Sequence, residues 1–159
     1  MDTLIGNVIL TGVLVVALII FVVSAVGVAQ FYSLQLDRTL LEREAVYVTQ
    51  SVQQLYLSVN SSQGYALGQS VVLDLPMPQS LNNHAYMLSI VASPLAGSDE
   101  TNLSAIVTLS GYNLQAGSSV VIGRCEVTSA ALLLFYPTLK VNLTLSVAGS
   151  QEQCTIKFG

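Results

Sequence analysis

Residues 3–36 read TLIGNVILTGVLVVALIIFVVSAVGVAQFYSLQL, 34 consecutive positions between Asp2 and Asp37 without a charged side chain. Most are Val, Leu, Ile, Ala or Phe. A helix needs about 20 apolar residues to cross the hydrocarbon core of a bilayer, so this stretch is longer than one crossing requires. No proline precedes Pro76, and nothing else in the stretch breaks a helix. Gly6, Gly12 and Gly27 are its only glycines, a residue common in helices that pack within membranes.

Working outward from Leu34, the pattern changes without a gap. Apolar residues recur at Leu36, Leu40, Leu41, Ala45, Val48, Val52 and Leu55, spaced mostly by three and four, which marks an amphipathic helix. Charges gather here as Asp37, Arg38, Glu42, Arg43 and Glu44. Arg38 and Glu42 stand one turn apart, so an ion pair worth roughly 0.2–0.5 kcal/mol is predicted. The two segments together predict one helix over residues 1–59, about 85 Å long at 1.5 Å per residue. Its second half therefore projects beyond any bilayer. The polar cluster Asn60-Ser61-Ser62-Gln63-Gly64 ends it, and residues 60–68 are read as a hinge.

Over residues 69–159 the period becomes two. Strands are predicted at 69–75, 85–91, 104–109, 118–123, 125–135, 139–147 and 154–158. In 139–147, Val141, Leu143, Leu145 and Val147 alternate with Lys140, Asn142, Thr144 and Ser146, which gives one apolar and one wet face. Tyr86, Leu88 and Ile90 form a second such face. Seven short strands punctuated by Pro and Gly argue for an immunoglobulin-like antiparallel β-sandwich. The fold class is then α+β: a long N-terminal hydrophobic α-helix followed by that sandwich.

Charge is scarce. Charged residues are 9% of the chain and the net charge is -4. The five basic residues, Arg38, Arg43, Arg124, Lys140 and Lys157, are scattered. No basic stripe exists to neutralise phosphates, so nucleic acid is not an expected partner. Cys125 and Cys154 are the two cysteines, too few for a zinc site. They suggest one disulfide in an oxidising compartment, two buried free thiols being the alternative. Cys154 is in step with Ile156 and Phe158 and is predicted to point inward. Three Asn-x-Ser/Thr sequons start at Asn60, Asn102 and Asn142. All follow the apolar stretch, as an external, N-glycosylated region requires.

Catalytic signatures are missing. The sequence has no Gly-rich phosphate loop, no nucleophile elbow and no His-rich cluster. His84, in Asn82-Asn83-His84, reads as an exposed loop residue. Asp99-Glu100 reads as a solvated turn, a weak calcium site being the alternative. Tyr32, Tyr47, Tyr56, Phe21 and Phe31 lie on the helix. Packing or an interfacial belt at Phe31-Tyr32 accounts for them. No enzyme activity and no cofactor are expected.

No Lys or Arg precedes the apolar stretch, whereas a signal anchor carries basic residues there. This suggests a processed chain that has lost a basic leader, Met1 as initiator being the alternative. The chain as a whole resembles the archaeal type IV pilin superfamily of adhesion pilins and archaellins. The resemblance rests on the helix opening Leu4-Ile5-Gly6-Asn7-Val8-Ile9-Leu10 and its extension to Val59. It rests also on Val71-Val72-Leu73-Asp74-Leu75-Pro76 followed by Tyr86-Met87-Leu88-Ser89-Ile90. Bacterial relatives carry a glutamate near the mature N-terminus, where this chain has Ile5. The resemblance implies a prepilin peptidase, an assembly ATPase and a platform protein as partners, storage in the membrane, and a helical homopolymer of identical subunits outside the cell. Leu4, Ile5, Ile9, Gly12, Val16, Ile20, Val23 and Gly27 would then form the helix-packing core. The other role considered is a single-pass, pilin-like cell-surface anchor that does not itself polymerise.

Overall fold

The computed structural model describes residues 2–61, 70–128, 130–133, 138–148 and 151–159. It begins with one α-helix, α1 (Asp2–Ser61), which matches the extent predicted from the sequence to within two residues. Eight strands follow: β1 (Ser70–Pro76), β2 (Tyr86–Pro94), β3 (Thr101–Leu109), β4 (Gln115–Ile122), β5 (Cys125–Val127), β6 (Ala130–Leu133), β7 (Thr138–Ala148) and β8 (Gln151–Phe158). They form two four-stranded sheets, ordered β1-β7-β8-β5 and β4-β3-β2-β6. The architecture is α+β, an apolar helix followed by β-sheets, as expected.

The chain divides into two compact units, residues 1–37 and 38–159. The division falls inside α1 and not at the predicted hinge. Of that hinge, Asn60 and Ser61 are helical and the remainder lies outside the described residues. The reason is burial. Leu41, Ala45, Val48, Val52, Leu55 and Val59 are buried, in steps of three and four, and belong to the same hydrophobic cluster as the strands. Leu36, predicted to continue this face, is 55% exposed, while the neighbouring Asp37 is 9% exposed: five residues before Leu41, Leu36 falls on a different side of the helix from the buried stripe.

The inward faces of both sheets complete the core. They contribute Tyr86, Leu88 and Ile90 from β2, Leu103, Ala105, Val107 and Leu109 from β3, and Leu139, Val141 and Leu143 from β7. Residues 38–61 meet one edge strand of each sheet, β4 and β1. One flank of the helix meets β4: the Thr49 hydroxyl lies 3.1 Å from Ser118 Oγ, and Gln53 Nε2 donates to Val121 O. The other flank, at Tyr47, Ser51, Gln54 and Ser58, borders a groove of about 500 Å³ closed by Leu73, Asp74 and Leu75 of β1. Both neighbours are edge strands, so the helix partly covers edges that would otherwise invite strand addition.

Two expectations need correction. The single strand predicted over 125–135 is two strands in different sheets: β5 pairs with β8, and β6 pairs with β2. Cys125 lies opposite Cys154 and is bonded to it, which holds β5 on one sheet. The apolar run at Ala130–Leu133 follows β2 on the other. The β5–β8 pair is also parallel, so that sheet is mixed while the other is antiparallel throughout. The second correction is the helix ion pair. Arg38 and Glu42 are both exposed, and among the described residues no ion pair is found between them; two hydrated side chains gain little from pairing. An ion pair at 3.8 Å links Arg124 to Asp99.

The connection from β1 to β2 is tightly built. Leu81 and His84 exchange backbone hydrogen bonds, each 2.9 Å long. Asn82 (φ 49°) and Asn83 (φ 65°) sit between them, the left-handed pair a two-residue hairpin turn requires. The Tyr86 hydroxyl donates to Pro78 O at 2.6 Å and holds the same connection from the other side.

Candidate functional site

Between Val8 and Leu36 every Val, Ile, Leu and Phe is half or more exposed, from 50% at Val22 to 73% at Phe21. The exposed side chains run all round the helix. A helix apolar on every side is stable in water only when something covers it. Mean hydropathy in this part reaches 3.0, long and apolar enough to cross a membrane. Two of its hydroxyls are satisfied locally: Thr11 donates to Asn7 O and Ser24 to Ile20 O, each at 2.8 Å. Such back-bonding lets a polar side chain sit among apolar neighbours without an orphaned donor.

Of the residues predicted to form the helix-packing core, Ile9, Val16, Ile20 and Val23 are 57–66% exposed. Gly12 and Gly27 have open space where a Cβ would stand. The side chains of Leu4 and Ile5 lie outside the described residues. Gly12 forms a notch bordered by Asn7, Val8, Thr11 and Val15. The predicted stripe is thus available but not singled out, because the opposite faces are equally apolar. Phe31 and Tyr32 meet edge to face at 6.3 Å and are 59% and 69% exposed.

The β unit carries the remaining predicted sites. Cys125 and Cys154 form a disulfide with their Cα atoms 4.4 Å apart, and both are buried. Asn60 is exposed at the end of α1, while Asn102 and Asn142 are half-buried on β3 and β7. In both strand sequons the intervening leucine, Leu103 or Leu143, is fully buried. The acceptor Asn and its Ser or Thr therefore share the outward face. His84 is half-buried, with its ring edge-on to Tyr112 at 4.9 Å. Asp99 is 84% exposed beside Arg124. Among the described residues no three of His, Cys, Asp and Glu gather as a metal site would require.

Two ionisable groups depart from their ordinary behaviour. Burial raises the pKa of Glu44 above 4.5, against the opposing pull of Arg43. Burial also pushes Tyr86 up to about 12, with the Glu44 carboxylate adding to the shift. Both effects favour the protonated form of a group at the core boundary.

The register reveals a feature that sequence reasoning missed. Outward residues of β2, β3 and β4 form cross-strand rows: Ser93, Asn102 and Val121, then Val91, Ser104 and Ser119. Further rows place Ser89 and Ile106 beside Gly117, and Met87 and Thr108 beside Gln115. None of these is charged. The outer face of the other sheet carries Asp74, Lys140 and Lys157. Strand alternation alone marked the outward positions, but only the pairing brings them into one uncharged surface.

No family model matches the chain, no curated protein matches it in sequence, and no solved structure matches its fold. What the geometry defines is a class: a disulfide-bonded β-sheet unit carried on a helix apolar enough to cross a membrane.

Proposed function

We propose that this chain is a structural subunit of an extracellular type IV pilus-like filament, polymerising through α1 and serving surface adhesion. The observation that carries the reading is the exposed apolar girth of α1 ahead of a well-packed β unit. Residues 7–36 alone extend about 45 Å, against a hydrocarbon core of about 30 Å. The excess has no use in a simple anchor. It suits a helix that first lies in the bilayer and then enters a bundle of identical helices. Lipid and helix core are both apolar, so the transfer is near neutral per unit area and close packing decides stability. The contact is head to tail and does not close, as a filament requires. The likeness to archaeal pilins supports the same reading, with a prepilin peptidase, an assembly ATPase and a platform protein as partners. Sugar on Asn60, Asn102 and Asn142 would keep a surface so poor in charge soluble.

Negative-stain microscopy of appendages sheared from cells, with mass spectrometry of the sheared material, tests this. Filaments made of this chain are the expected result. Recovery of the chain in the membrane fraction alone would overturn polymerisation and favour the single-pass anchor.

A further inference from the structure

We propose that an N-linked oligosaccharide on Asn102 lies along the outer face of β4-β3-β2 and covers its apolar side chains. The inference rests on the glycosylation reading above and adds a role particular to one sequon. Val91, Ile106 and Val121 are 46%, 36% and 43% exposed on this face. Solvated faces of antiparallel sheets normally present polar side chains, so these three call for cover. Asn102 stands on β3, an interior strand of the sheet, directly between Ser93 and Val121. A sugar attached there starts beside Val121 and reaches Val91 and Ile106 by following β3. Gly117 lies opposite Ile106 and leaves a shallow depression lined by Ser104, Ile106 and Ser119. A sugar ring matches such a surface. Its C–H faces cover valine and isoleucine, and its hydroxyls bond serine hydroxyls. No charge is needed on either side.

Asn142 supplies the contrast. Its neighbours across the sheet are Val72 and Lys157, on a face that already carries Asp74 and Lys140. Charged groups hydrate that face, so sugar on Asn142 would extend into solvent. The two sequons therefore differ in consequence although they match in pattern.

The test uses the full-length chain from cells that glycosylate it, with Asn102→Gln, Ser104→Ala and Asn142→Gln variants. Mass spectrometry of the Asn102 peptide establishes whether sugar is present. Hydroxyl-radical labelling then reads the accessibility of Val91, Ile106 and Val121 side by side. Labelling of these residues is expected to rise several-fold in both Asn102→Gln and Ser104→Ala, and to stay unchanged in Asn142→Gln. An unmodified Asn102 peptide would remove the glycosylation reading at this site and the cover with it. A modified peptide with equal labelling in all variants would leave glycosylation standing and overturn the cover alone.

Discussion

Tyr86 shows how one side chain couples packing to pH. It is 1% exposed, and its hydroxyl is committed to Pro78 O. Its pKa rises from 10.0 to about 12 because burial, and then the nearby Glu44 carboxylate, disfavour the phenolate. The folded state therefore holds this proton more tightly than the unfolded state. The stabilisation is complete below pH 10 and is lost as pH rises through about 12. Absorbance titration near the phenolate band should show one tyrosine ionising late, and Tyr86→Phe should remove that step. The same variant leaves Pro78 O without its donor and should cost about 1 kcal/mol in denaturant unfolding. Glu44 has the same sign on the acid side: with its pKa raised by burial, its contribution is present below pH 4.5 and falls as pH rises past its folded value. Gly123 is a second residue-scale constraint. A Cβ there would collide with the Tyr56 ring and hydroxyl on α1. Gly123→Ala should destabilise by about 1 kcal/mol, the low end for overpacking, because the end of the tyrosine can move. A double-mutant cycle with Tyr56→Ala should then be clearly non-additive; additivity would mean that the two do not press on one another.

At the scale of the element, α1 is one helix with two chemistries. Up to Leu36 it is apolar all round, and from Leu41 it buries a single face. Gly12 sits in the first part with nothing near its missing side chain. Gly12→Arg places a cation where the proposed bundle has its core, at a cost of about 2.5–3.5 kcal/mol on membrane-insertion scales alone. Filaments should be lost while the β unit keeps its disulfide and its cooperative unfolding. Normal filaments from this variant would show that the notch is not an interior surface. Both chemistries were legible in the sequence, because charge-free length and a three-and-four period are local signals. The strands were legible to within a few residues for the same reason, the alternation of Tyr86, Leu88 and Ile90 being an example. The break between β5 and β6 was not. Cys125 to Leu133 contains neither Gly nor Pro, and what separates the two strands is their partners, β8 and β2, which are remote in sequence. The uncharged outer face was hidden likewise: Val91, Ser104 and Ser119 become neighbours only through register. The Arg38–Glu42 spacing permitted a pair without requiring one, since solvent competes for both groups.

For the whole molecule, the question is where the soluble part of the chain starts. The sequence placed it after a hinge near residue 60, where polar residues end the helix. The compact unit instead begins at Arg38, because residues 41–59 supply six buried side chains to the core shared by both sheets. Burying a Val or Leu side chain contributes about 1.5–3 kcal/mol. Losing this helix face therefore removes on the order of 10 kcal/mol, comparable to the roughly 5–15 kcal/mol that holds a typical domain together. Two truncations separate the alternatives. A chain of residues 38–159 should be soluble, form the Cys125–Cys154 disulfide and unfold in one cooperative transition by circular dichroism. A chain of residues 70–159 should lack that transition even when oxidised, because the bond joins two strands of one sheet and supplies none of the missing apolar cover. If residues 70–159 instead melted cooperatively near the temperature of the longer chain, the helix would be an attachment to a self-sufficient sandwich. Its buried face would then have to be explained by assembly and not by folding.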